Sequence, residues 1–195
     1  IMLDGYRYIK RSRYKMPNIL LVSATHLEHH DEELFGFPIH IIGIGKVEAA
    51  LNTYKLIQKY KPDHVINFGS CGNLKDYRVG EVLEVGEIHD DFYGCVVPEH
   101  IEIKVSNSPI KLFTTDMFYD TSAVYSNNYT SKIRKCDIVD MEGYSIAKVC
   151  ESENTSISLY KWVSDDGEST RWLDNAAAGY SNFKIVLQKW LETYE

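Results

Sequence analysis

An α/β domain with a largely parallel centre is what this sequence predicts, on three observations. Short, nearly all-apolar runs alternate with a helix-period segment between residues 18 and 72. Such runs mark strands buried on both faces, as parallel strands between helices are. The chain has 195 residues, 44% hydrophobic and 25% charged, enough for one domain with a core that needs no disulfide or metal staple.

The elements follow in order. Residues 1–15 carry Arg7, Lys10, Arg11, Arg13 and Lys15 against Asp4. They lack the apolar stretch of a secretory signal and read as a basic N-terminal extension, or as a basic arm that touches a partner or the acidic body. The domain proper is expected over 16–195. Asn18 to Ser23 is a first strand and Pro38 to Ile44 a second. Lys46 to Tyr60 is an amphipathic helix with Val47, Ala50, Leu51, Tyr54 and Ile57 at helical spacing, stopped by Pro62. His64 to Phe68 is a third strand, running into a turn at Gly69-Ser70-Cys71-Gly72. Strands are expected at Gly80 to Glu87 and Ile101 to Val105, a helix at Met141 to Cys150, and a buried strand at Ser156 to Ser164 that ends on Asp165-Asp166-Gly167. Ala176 to Tyr194 closes the chain as an amphipathic helix, with Tyr180, Phe183, Val186, Leu187, Trp190 and Leu191 on its stripe.

Composition removes several function classes. A net charge of −7 is the wrong sign for a generic nucleic-acid binder. Cys71, Cys95, Cys136 and Cys150 form no CxxC pair, so reduced thiols in the cytoplasm are expected rather than a disulfide framework. No apolar run approaches the roughly 18 residues of a membrane span.

Ligands of open α/β sheets bind beyond the carboxyl ends of strands. Four segments bring polar residues there: Ser23 to Glu28, Gly69 to Gly72, Asp140-Met141-Glu142, and Ser164 to Asp166. Each has a plain explanation alone. Glycines beside Ser70 permit a tight turn, Glu142 suits a helix's first turn, Asp165 suits a turn or N-cap, and Glu28 suits a solvated face. Together, one fold rule directs all four to one rim.

Those segments also resemble one family. Gly43-Ile44-Gly45-Lys46-Val47-Glu48-Ala49-Ala50, Asn67 to Leu74, Val139-Asp140-Met141-Glu142-Gly143 and Val163-Ser164-Asp165 are similar, in order, to motifs of 5'-methylthioadenosine/S-adenosylhomocysteine nucleosidases. Ala24 and Glu28 keep the spacing of a further segment, and Phe113 to Phe118 resembles the family's base-stacking strand. The family is part of the purine nucleoside and uridine phosphorylase superfamily. The resemblance implies a three-layer α/β/α domain around a mixed, partly barrel-like sheet. It implies an adenosine-type nucleoside as substrate, water as co-substrate, no cofactor and no metal, and a homodimer or higher homo-oligomer.

It also implies roles. Cleaving an N-ribosidic bond passes through an oxocarbenium-like sugar, and the purine leaves best with a proton. Asp165 would supply that proton, as a carboxylic acid kept neutral by burial. Glu142 would accept hydrogen bonds from the ribose hydroxyls while Met141 packs on the sugar. Glu28 would be the base for the attacking water, with Ser70 and Gly72 close to it. Phe118 would stack on the base, the backbone of Tyr119 would read its edge, and Asp140 and Lys161 would complete the substrate-binding set. Asp140 stands where the family has Glu, Lys161 where it tends to have Arg, and Thr25 where it has Met. The segment from Glu87 to Phe113 is shorter than in the family.

Phosphorolysis is the alternative reaction. Phosphate sites use arginines and a glycine-rich turn, and here Asn67 stands where hexameric phosphorylases carry Arg. An acid at Glu28 would repel phosphate and suit a water, so hydrolysis is favoured. A nucleoside sensor without turnover is a further alternative, opposed by the presence of all three carboxylates. His26, Glu28, His29 and His30 match no metal motif and read as a solvated helix start. Cys71 reads as core, and Trp162, Trp172 and Trp190 as core or interface.

Overall fold

The computed structural model describes residues 17–90, 102–124 and 127–193; the basic extension lies outside them. Strand β1 (Ile19–Ser23) leads through a short 3-10 turn at His26–Glu28 to the hairpin of β2 (Glu33–Leu34) and β3 (Phe37–Ile41). Helix α1 (Lys46–Tyr60) then crosses to the long strand β4 (His64–Asn73). Strands β5 (Val82–Glu84), β6 (Glu87–Asp90), β7 (Glu102–Lys104) and β8 (Lys111–Thr114) follow. Next come α2 (Asn127–Ile133), β9 (Ile138–Asp140), α3 (Gly143–Ser152), β10 (Ser156–Asp165), α4 (Ser169–Asn175) and α5 (Tyr180–Glu192).

One mixed sheet holds every strand among the described residues. Its path is β2-β3-β1-β4-β9-β8-β6-β7, with β10 also on β4 and β5 on β10. The centre is parallel, β1 pairing with β3 and β4, and β4 with β10. Strand β1 faces helices on both sides. Ile19 and Leu21 pack in one cluster with Phe68, Trp162 and the α5 residues Phe183 and Leu187. Leu20 and Val22 pack in another with Ala49 and Ile57 of α1 and Ile146 and Cys150 of α3. Alternate residues of a strand point to opposite faces, so this is the expected α/β/α layering.

β4 organises the site. Strand β10 lies along it from His64 to Gly72. A strand has two edges, so β1, paired at residues 64–67, and β9, paired antiparallel at Gly72 and Asn73, share the other. Between them the edge of β4 at residues 68–71 is open, and the sheet splays toward its barrel-like half.

Several expected elements are revised. Gly69 to Gly72 is not a turn but continues the strand. Its glycines serve close approach: a Cβ on Gly69 would lie 2.7 Å from a Glu28 carboxylate oxygen, and one on Gly72 would lie 2.9 Å from Val139. α1 has the expected bounds but a different buried face. It docks through Ala49, Thr53 and Ile57, leaving Val47 78%, Leu51 46% and Tyr54 46% exposed. Small residues at two of the three docking positions let the helix lie close on the sheet, and this outweighs the greasier stripe. The single strand expected from Gly80 to Glu87 is two, and the helix expected from Met141 starts two residues later. The terminal helix begins at Tyr180, preceded by the separate α4.

Candidate functional site

The carboxyl ends of β1, β4, β9 and β10 surround one cavity of about 170 Å³. A water needs only about 10–15 Å³ by this measure, so the space suits a small organic molecule. Ala24, Thr25, Glu28, Ser70, Gly72, Asp140, Met141, Glu142 and Asp165 line it from the sheet, and Phe118, Tyr119 and Trp172 from flanking segments.

Glu28 sits on the 3-10 turn that Thr25 caps by accepting from Leu27 N–H at 3.3 Å. Its side chain enters the splay beside β4. Oε1 accepts from the backbone N–H of Ser70 at 2.7 Å and from Ser70 Oγ at 2.8 Å. Oε2 accepts from Ser23 Oγ at 2.7 Å and from Ala24 N–H at 3.2 Å. Glu28 is only 4% exposed and His29 only 5%, so the solvated reading fails for these two, while His26 and His30 are exposed as expected. The open strand edge presents a backbone donor there, a buried donor needs a partner, and Glu28 supplies it.

Glu142 immediately precedes α3 but makes no side-chain cap. Instead its Oε1 accepts from Gly45 N–H at 2.8 Å, where Gly45 has φ +88° at the start of α1. Burial, and then the charge of Asp140, push its carboxyl up to about 8, against the pull of Lys161 and the Gly45 N–H.

Asp140 ends β9. It accepts from Thr114 Oγ1 at 2.7 Å and Gly143 N–H at 2.9 Å, and pairs with Lys161 Nζ at 2.9 Å. Lys161 does not line the cavity and is 2% exposed. The Lys161 ammonium is instead engaged by Asp140. Burial alone would lower the Lys161 pKa, but the charges of Asp140, Glu142 and Glu28 outweigh it and hold the ammonium above its ordinary value.

Asp165 is aimed by an irregularity in β10. The pairing with β4 shifts register between Val163 and Asp165, as a bulge does when it re-aims a side chain. Asp165 accepts from Gly167 N–H at 2.9 Å and is 2.8 Å from Ser164 Oγ. Burial raises its pKa, opposed by those two donors.

Trp172, read from sequence as core or interface, is on the cavity wall, and its Nε1–H donates to Ser70 Oγ at 2.9 Å. Thr115 also lines the wall. Neither has a local signal, because each reaches the site from an element whose placement is set by packing. Cys71 is 3% exposed and packs in a core cluster, and burial raises its thiol pKa strongly.

Comparison with known proteins follows the same outline. The family described as Phosphorylase superfamily matches residues 36–102. A 5'-methylthioadenosine/S-adenosylhomocysteine nucleosidase of Staphylococcus aureus is 40% identical over 179 residues, covering 77% of this chain and 78% of that protein. Among solved structures, a nucleosidase of the same name from Colwellia psychrerythraea, in complex with adenine, superposes with a TM-score of 0.71 at 18% identity, covering 89% of this chain and 94% of that one. Futalosine hydrolase of Helicobacter pylori superposes with a TM-score of 0.72 at 17% identity, covering 87% and 96%.

Proposed function

The chain belongs to the phosphorylase superfamily and within it to the 5'-methylthioadenosine/S-adenosylhomocysteine nucleosidases, and from that premise we propose how its pocket works. The protein is a purine nucleosidase: it hydrolyses the N-ribosidic bond of an adenosine-type nucleoside to free base and a ribose moiety. The observation that carries the assignment of roles is the convergence of Glu28, Glu142 and Asp165 on one cavity, where Asp140, the fourth buried carboxylate of the lining, is paired with Lys161.

Asp165, whose pKa burial raises, gives a proton to the departing purine, so that the base does not leave as an anion. Glu142 receives the ribose hydroxyls and answers the positive charge that grows on the ring. Met141 covers the sugar, Phe118 stacks on the base, and the Tyr119 backbone meets the base edge. Glu28 is the final acceptor of the water's proton. Asp140 and Lys161 hold the floor in register. The mechanism calls for no cofactor.

Phosphorolysis is disfavoured by the lining itself, which among the described residues includes Glu28 but no Arg or Lys. A phosphate there would meet a carboxylate and no countercharge. The test is release of adenine from methylthioadenosine, S-adenosylhomocysteine and other purine nucleosides, with and without phosphate. Equal rates and a free ribose product are expected; strict phosphate dependence and ribose 1-phosphate would overturn hydrolysis.

The exposed Val47, Leu51 and Tyr54 on α1 support a homodimer as the working form, since apolar side chains grouped on one helix face favour burial against a second copy. Cytoplasmic residence fits the free Cys71, Cys136 and Cys150. No described helix is long and apolar enough to cross a membrane.

A further inference from the structure

A carboxylate offers about four lone-pair sites, and those of Glu28 are all engaged. Ser23 Oγ and Ala24 N–H take Oε2, and Ser70 N–H and Ser70 Oγ take Oε1. A water entering the cavity therefore meets no free acceptor on Glu28. It meets Ser70 Oγ. An indole N–H is a donor only, so Trp172, at 2.9 Å, can only be donating to that hydroxyl. The single Ser70 proton is then directed away from Trp172 and onto Glu28 Oε1, 2.8 Å away. One lone pair of Ser70 Oγ is taken by Trp172, and the other is left for the water.

We propose that the Ser70 hydroxyl relays the attacking water's proton to Glu28, and that Trp172 is the positioning residue that sets the direction of the relay. This rests on the nucleosidase reading and deepens it. The water oxygen bonds to C1′ as the C1′–N9 bond breaks, and that bond's electron pair leaves with the purine, which takes the Asp165 proton. One water proton moves to Ser70 Oγ while the Ser70 proton moves to Glu28 Oε1. Glu28 ends protonated and Asp165 ionised. Two protons therefore move on the water side of the reaction, where direct attack through Glu28 would move one.

Trp172→Phe keeps the ring on the cavity wall and removes only the donor. The expected result is a fall in kcat of about tenfold, the worth of one aligned hydrogen bond, with KM within about twofold. Ser70→Ala should lose more, and Ser70→Thr, which restores a hydroxyl, should recover part of the loss. The Asp165 proton moves with or without the relay, so rates in mixtures of light and heavy water should give a more strongly curved plot against deuterium fraction for the wild type than for Ser70→Ala. The Trp172 indole proton resonance should move upfield in Ser70→Ala. A Trp172→Phe protein with kcat within twofold of wild type overturns the inference. A straight wild-type plot does so too, however the variants fold. A wild type that releases no base from any purine nucleoside would instead remove the nucleosidase reading, and the relay with it.

Discussion

Asp165 and Glu142 are both carboxyls pushed up by burial, yet the proposed reaction needs them in opposite states. Asp165 must hold a proton to give. Replacing it with Asn keeps the shape and removes the acid. Asp165→Asn is expected to bind nucleoside with little change, measured by calorimetry, while turnover falls by about 10²–10⁴, the usual worth of a positioned acid. Glu142 must be ionised to receive the ribose hydroxyls, although burial raises its carboxyl from 4.5 to about 8. A raised acid binds its proton more tightly in the folded chain than in the unfolded one. Its contribution to stability is therefore complete below about pH 4.5 and is lost as pH rises through about 8. Thermal melts of ligand-free wild type against Glu142→Gln, taken between about pH 5 and pH 9, should show the wild type losing ground to the variant as pH rises. Taking the difference removes His64, whose buried imidazole is lowered to about 4 and acts with the opposite sign in acid.

At the scale of elements, the ends of β4, β9 and β10 are tied through buried polar contacts, and these contacts decide how much could be read in advance. Lys161 on β10 neutralises Asp140 on β9 with both side chains almost wholly enclosed. Lys161→Met keeps the length and strands the acid, which should cost about 3–5 kcal/mol, read as a shifted denaturant midpoint. The strands β1 and β10 and both ends of α1 were legible because apolar runs and Pro62 are local signals. The gathering of four strand ends at one rim was legible from the parallel-sheet rule. The docking face of α1 was not, because Ala49 and Thr53 carry little hydrophobic weight and win by being small. The glycines of β4 read as a turn because their real demand, room for Glu28 and Val139, comes from residues distant in sequence. The burial of Glu28 was hidden for the same reason, since Ser70 lies 42 positions away. Trp172 was legible only as an aromatic.

For the molecule as a whole, the layered fold leaves Val47, Leu51 and Tyr54 outward on α1, and the dimer proposed on that face has a direct check. Leu51→Glu should run as a monomer in light scattering while its melting temperature stays close to that of wild type, because a side chain already 46% exposed contributes little to the protomer's own core. The splay beside β4 reaches further. Where β1 has ended and β9 has not begun, Glu28 stands in for a missing strand. A descendant of this protein that abandoned catalysis and discarded the acid would leave the Ser70 amide without its protein partner. Retention of Glu28 among relatives is thus no witness to turnover. Asp165 is the better witness, for among the described residues its donors are the N–H of its own turn at Gly167 and the neighbouring Ser164 hydroxyl, and no distant strand depends on it for a partner.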